Sequence, residues 1–179
     1  MAFRVRASLL QDLVAAAAQE PLLAAHANTL VDVLASGDRW LPGAIYLDWQ
    51  EEALRIVGAP ALQELRRRSV VFTSRGPALR AFVALARTWA AGRPSSLLRW
   101  YAPGQRMLLR GFADMSFEER DFGGVVTMTA LCPEAAAAVA WRAGTAGVLN
   151  GILDAFGYQG AVSTQLAPAA TAEFRIHVA

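Results

Sequence analysis

Apolar positions recur at helical spacing in the first half of the chain and alternate in the second. Leu9, Leu10, Leu13, Val14 and Ala17 share one face of a predicted first helix. After Pro21 a second stripe takes up Leu22, Leu23, His26, Leu30, Val33 and Leu34, and Gly37 ends it. The aromatic connection Trp40-Leu41-Pro42-Gly43 leads to a third helical segment over residues 44–57, stopped at Gly58. Pro60 then opens a short helix through Leu62 and Leu65. Its last turn carries Arg66, Arg67 and Arg68, where cations complement the negative end of the helix dipole. A fifth helix follows from Ser74 and Pro77, with Leu79, Phe82, Val83, Ala86, Trp89 and Ala90 on its apolar face and a stop at Gly92 to Pro94.

Past that stop the period changes. Residues 106–115 read as a strand with a bend at Gly111. Glu118-Glu119-Arg120-Asp121 reads as a solvated turn, and residues 125–131 as a strand in which Val126, Met128 and Ala130 alternate with Val125, Thr127, Thr129 and Leu131. Pro133 opens a long helix to Phe156, capped by Gly157. Its Gly144, Gly147 and Gly151 form a small-residue face expected to pack closely on the sheet. Two strands, 160–166 and 173–178, flank Ala167-Pro168-Ala169-Ala170 as a hairpin, the second of them edge-like. This order predicts an α+β fold: a helical N-terminal half packed on a small, mainly antiparallel sheet, with a long helix between strands of the C-terminal half. One domain over residues 1–179 is expected, since no repeat or linker divides the chain.

Composition narrows the function classes. The hydrophobic share is 55%, but Ala runs such as Ala15 to Ala18 supply much of it, and they favour helix more than core. All 17 basic residues are Arg, and the net charge is only +2 with acidic residues interspersed, so no clustered positive face for nucleic acid is expected. The stretch from Ala155 to Ala172 lacks charge, but its Gly, Gln, Pro, Ser and Thr residues rule out a spanning helix. Arg4 and Arg6 before Ser8-Leu9-Leu10 imitate a secretion signal until Gln11 and Asp12 interrupt the apolar run. The single cysteine, Cys132, allows neither an internal disulfide nor a multi-cysteine zinc site. A soluble, cytoplasmic protein without an integral membrane segment is the expectation.

Chemistry has few places to reside. The two histidines, His26 and His177, stand at opposite ends of the chain; one sits in an apolar stripe and the other in the polar phase of a strand, and neither has a nucleophile motif. No ligand-spaced metal cluster appears. Cys132 lies at a strand-to-helix junction before Pro133, where a local dipole can lower a thiol pKa, so it is the candidate reactive or acylated thiol. The three glycines fall inside a helix rather than between strand and helix, where a phosphate cradle must lie. The aromatics are more informative: Trp40, Trp49, Trp100, Tyr46 and Tyr101 lie in or beside connections, where large amphipathic rings line pockets or anchor interfaces. They are the candidate ligand or partner site.

Asp38-Arg39-Trp40-Leu41-Pro42, then Tyr46 and the helix to Ile56-Val57-Gly58, followed by a glycine-rich helix and a terminal strand, resembles a paralogous family of unknown function in myxobacteria. More distantly, a helical half followed by strand, helix and paired strands looks like the superfamily of haem-nitric-oxide-binding domains, 4-vinyl-reductase-type domains and transport-protein-particle subunits. The resemblance implies a non-enzymatic regulatory module that senses a small ligand or assembles with protein partners. It does not carry sites across. His26 lies too early for the haem ligand, one cysteine cannot reproduce the vinyl-reductase set, and Cys132 matches the acylated cysteine of the trafficking subunits only loosely.

The expectation is therefore a bacterial binding module, not an enzyme, with no cofactor, whose partner is a protein, a small apolar ligand or a second copy in a homodimer. The alternatives are a lipid or acyl-chain binding protein and a cysteine-dependent enzyme using Cys132.

Overall fold

The computed structural model describes residues 2–75, 94–121, 123–166 and 170–179. Phe3 and Val5 are buried while Arg4 between them is exposed, the alternation of a strand. This strand, β1 (Arg4–Arg6), precedes the first helix. The Trp40 segment is likewise strand β2 (Trp40–Pro42) rather than an irregular connection, and β3 is the two-residue Leu109–Arg110. All pairings are antiparallel, in the order β2-β1-β3, with Val5 opposite Leu41 on one side and Leu109 on the other. Three such short strands carry too little alternation to stand out in the sequence, and long-range pairing specifies them.

Helices α1 (Ala7–Ala17) and α2 (Ala24–Leu34) lie where the stripes place them. Helix α3 spans Gly43–Arg75 and is broken at Gly58, whose φ of 78° and ψ of 168° are accessible essentially to glycine alone. The predicted stop at Gly58 and restart at Pro60 are therefore a kink within one long element. Arg66 to Arg68 lie well inside this helix, not in its last turn, so the dipole account of that run does not hold. Arg67 pairs with Asp154 and Arg68 with Glu20, at 3.3 Å, while Arg66 turns inward. The fifth predicted helix lies outside the described residues, Ser74 excepted.

Helices α4 (Pro94–Leu98) and α5 (Tyr101–Leu108) follow. The strand expected over residues 106–115 is thus a helix end, β3, a turn at Gly111 (φ 67°) and the start of β4 (Asp114–Arg120). β4 also absorbs most of the acidic stretch; its turn comes at Asp121, and Ser95 donates to Glu119 at 2.6 Å. Strands β5 (Gly123–Thr129), β6 (Gly160–Leu166) and β7 (Ala172–Val178) complete a second antiparallel sheet in the order β4-β5-β7-β6. β7 is interior, not edge-like; β4 and β6 hold the edges.

The long helix predicted from Pro133 is two helices, α6 (Pro133–Ala137) and α7 (Ala140–Ala155), separated by extended Ala138. Side chains hold the break. Trp141 Nε1 donates to the Ala135 and Ala138 carbonyls at 2.7 and 3.1 Å. From α3, Glu51 Oε1 accepts the Val139 and Ala140 amides at 2.5 and 2.7 Å, capping α7 across tertiary space. The glycine face of α7 packs on α3 rather than on the sheet. A Cβ on Gly147 would lie 2.1 Å from the Gln63 carbonyl oxygen, and one on Gly151 would lie 2.6 Å from that of Arg67. Phe3, Phe112, Trp141 and Phe174 form a chain of ring contacts, 5.1 to 6.2 Å between centroids, joining the two sheets through one continuous core.

Candidate functional site

The turn at Gly111 brings β3, the start of β4 and the β5–α6 connection around a cavity of about 590 Å³. Its walls combine Leu109, Ala113, Leu131 and Pro133 with Arg106, Arg110, Asp114 and the Cys132 thiol. The pairing of β1 with both β2 and β3 sets Trp40 near Arg110, and the Arg110 guanidinium sits 3.9 Å from the centre of the Trp40 ring. That cation–π contact holds an exposed cation at the cavity wall without consuming its hydrogen-bond donors. Arg106 is spent differently: its Nη2 donates to the Met115 carbonyl at 3.1 Å. The wall thus combines one fixed guanidinium, one tethered one and one carboxylate with apolar side chains.

Cys132 lies half-buried in this wall, its amide donating to the Phe112 carbonyl at 2.8 Å. Burial is the main reason its thiol is pushed above the usual 9.0. It is therefore protonated at neutral pH, and the five-residue α6 does not reverse this.

The other aromatic candidates do not meet at this cavity. Trp49 is buried between α3 and α2, its indole stacked on His26 at 4.9 Å between centroids and 13° between planes. The two residues exchange hydrogen bonds: His26 Nε2 donates to the Trp49 carbonyl at 3.1 Å, and Trp49 Nε1 donates to the His26 carbonyl at 3.2 Å. A cleft of about 220 Å³ beside them is lined by Leu30, Val33 and Ile45, below the range of about 300–1,000 Å³ usual for small-molecule pockets. Tyr46 and Tyr101 are buried together near Arg66. Trp100, the residue before α5, is 63% exposed, and Met107, about two helical turns further on, is 64% exposed.

Arg110, Arg106 and Arg66 carry the polar chemistry of these places, and the aromatic-centred reading did not single out any of them. For Arg66 the signal was available: Leu62, Leu65, Arg66 and Ser69 follow i, i+3, i+4, i+7 spacing, which places an arginine on the buried face. For Arg110 there was none, because its role depends on a pairing between residues over a hundred positions apart.

Among the described residues, no group of three or more histidine, cysteine, aspartate or glutamate side chains could hold a metal ion, and no helix is long and apolar enough to cross a membrane. No protein-family model matches the chain, and no curated protein matches it at a significant level. Among solved structures, the chain is similar to an H-NOX protein from K. algicida in its Fe(II) unliganded form. The TM-score is 0.53 at 9% identity, and the match covers 97% of this chain and 96% of that one. At that identity the likeness establishes the fold. The histidines of this chain do not fit a haem, which needs an axial ligand facing a large cavity. His26 lies flat on Trp49 beside the smaller cleft with Nε2 engaged, and His177 is exposed on β7.

Proposed function

We propose that the chain is a non-enzymatic regulatory module that binds a small amphipathic anion in the cavity beside Cys132. The observation that carries the reading is the Arg110 guanidinium, stacked on Trp40 and lining a cavity of about 590 Å³. A fixed cation in a cavity that Leu109 and Leu131 also line suits a carboxylate with a short hydrocarbon tail, because the charge finds a preorganised partner and the tail leaves water. The H-NOX-like fold supports ligand binding over turnover, and so does a thiol kept protonated by burial. Arg106 would orient the head group; Cys132 would contribute contact area.

Titration with hexanoate, followed by calorimetry, tests this. Saturable binding is expected, absent for hexanol and weakened about 10- to 100-fold by Arg110→Ala, in line with loss of a charge-assisted contact of roughly 1.5–3 kcal/mol. Equal binding by Arg110→Ala would remove the assignment. Exposed Trp100 and Met107 favour a second reading, in which a protein partner docks on α5.

A further inference from the structure

A second polar site lies in the interior, where the two halves of α3 meet α5 and α7. Arg66 is 2% exposed, and its Nη2 donates to the Tyr46 hydroxyl at 3.1 Å, while Nε and Nη1 have no hydrogen-bond partner. No carboxylate pairs with it among the described residues. Gln50, one helical turn after Tyr46, is 0% exposed, and neither its Nε2 nor its Oε1 is hydrogen-bonded. Both side chains press on the same point of α7: a Cβ at Gly144 would meet Gln50 Oε1 at 2.3 Å and Arg66 Cγ at 3.5 Å. Tyr101 closes the cluster, buried beside Tyr46 and Arg66 and hydrogen-bonded to Thr145.

A guanidinium is charged at any physiological pH, and taking it out of water without a counterion is among the largest unfavourable terms in a folded protein. Buried polar groups are nearly always satisfied, so orphaned donors on a cation whose only compensation is Tyr46, by its hydroxyl and its ring 5.5 Å away, mark a missing partner. The unsatisfied donors are Arg66 Nε–H and Nη1–H and the Gln50 Nε2 amide, against a single unsatisfied acceptor, Gln50 Oε1, so a partner with one negative charge and mainly acceptor capacity suits the cluster. The close approach of α7 to α3 at Gly144 and Gly147, where even a Cβ would clash, admits only a small partner. We infer that Arg66, Gln50 and the Tyr46–Tyr101 pair form a buried site for a small monovalent anion, a halide or the carboxylate of a one- or two-carbon acid. This site is separate from the Arg110 cavity and does not rest on the function proposed for it.

Thermal unfolding of the full chain in chloride, bromide, formate and gluconate salts at equal ionic strength tests the inference. Chloride, bromide or formate is expected to raise Tm saturably, by about 3–6 °C at a concentration roughly tenfold above its dissociation constant, whereas bulky gluconate does not. Saturation by formate but not by the halides identifies a carboxylate site, and the reverse identifies a halide site. Arg66→Met is expected to lose the dependence, and Arg66→Lys to retain a weaker one. If Arg66→Met does not fold, line broadening of the chloride resonance by the wild-type protein, relieved by formate and reduced in Gln50→Leu, reads the same site. Unfolding that depends on ionic strength alone, with no broadening, means that water fills the cluster and overturns the inference, as does unchanged anion dependence in Arg66→Met.

Discussion

At the scale of single residues, environment rather than identity decides what each titratable group does. Cys132 sits before a proline at a helix start, a position that invites a reading as an activated thiol, yet burial raises its pKa above 9.0. Its alkylation by iodoacetamide at pH 7.5 is expected to be no faster in the native protein than in urea; faster native modification would show activation by the fold. Tyr101 departs from its ordinary behaviour in the same way. Burial foremost, with Tyr46 beside it, raises its phenol above the usual 10.0. The folded state keeps a proton that the unfolded state releases once pH passes about 10, so stability should fall with a slope of up to about 1.4 kcal/mol per pH unit there. The chain contains no lysine to confuse that range, and Cys132 adds in the same direction from its unfolded value of 9.0 upward. Urea unfolding between pH 9 and 11 should show a shallower decline for Tyr101→Phe. Of the residues chosen from the sequence, Tyr46 and Tyr101 converge on one cluster and Trp40 serves the Arg110 cavity, whereas Trp49 clamps α2 to α3 and Trp100 faces outward. Arg66 was legible as a buried-face residue from its helical spacing, whereas Arg110 needed the fold.

At the scale of elements, legibility followed length. Helices α1, α2 and α3 and strands β5 and β7 carry enough periodic positions for local pattern to specify them, and the glycine at the α3 kink announced itself. What escaped local reading is held by distant partners. β1, β2 and β3 exist through one another, and the α6–α7 break depends on Trp141 and on Glu51 from another helix. The α7 glycine face was legible as a close-approach surface, but not its partner: a glycine stripe states how near a neighbour comes and not whether it is a sheet or a helix. Gly147→Ala makes the contact measurable. Its Cβ would fall 2.1 Å from the Gln63 backbone oxygen, which cannot rotate away as a side chain could, so α7 must shift from α3. Overpacking of this kind costs about 1–3 kcal/mol, expected as a lower midpoint in urea with little change in slope.

At the scale of the whole molecule, the likeness to an H-NOX protein extends over 97% of this chain with 9% of residues identical. An architecture kept at so low an identity is specified by the arrangement of apolar faces and turns, which many sequences satisfy, rather than by particular side chains. The sequence was sufficient for the α+β class and the antiparallel sheet because those follow from periodicity. The two polar sites were not, because each gathers residues from segments far apart in the chain. Arg110 meets Trp40 across β1, and Arg66 meets Gln50, Tyr46 and Tyr101 across a kink and two further helices.

The central strand of the smaller sheet also fixes an order of events during synthesis. Residues 4–6 leave the ribosome well before residues 109–110, one of their two partners. At about 5–20 residues per second, translation leaves that flank of β1 open for roughly 5–20 s. Through this interval Val5, buried in the finished fold, lacks its partner Leu109. The pairing of β1 is therefore complete only after Leu109 and Arg110 have been made.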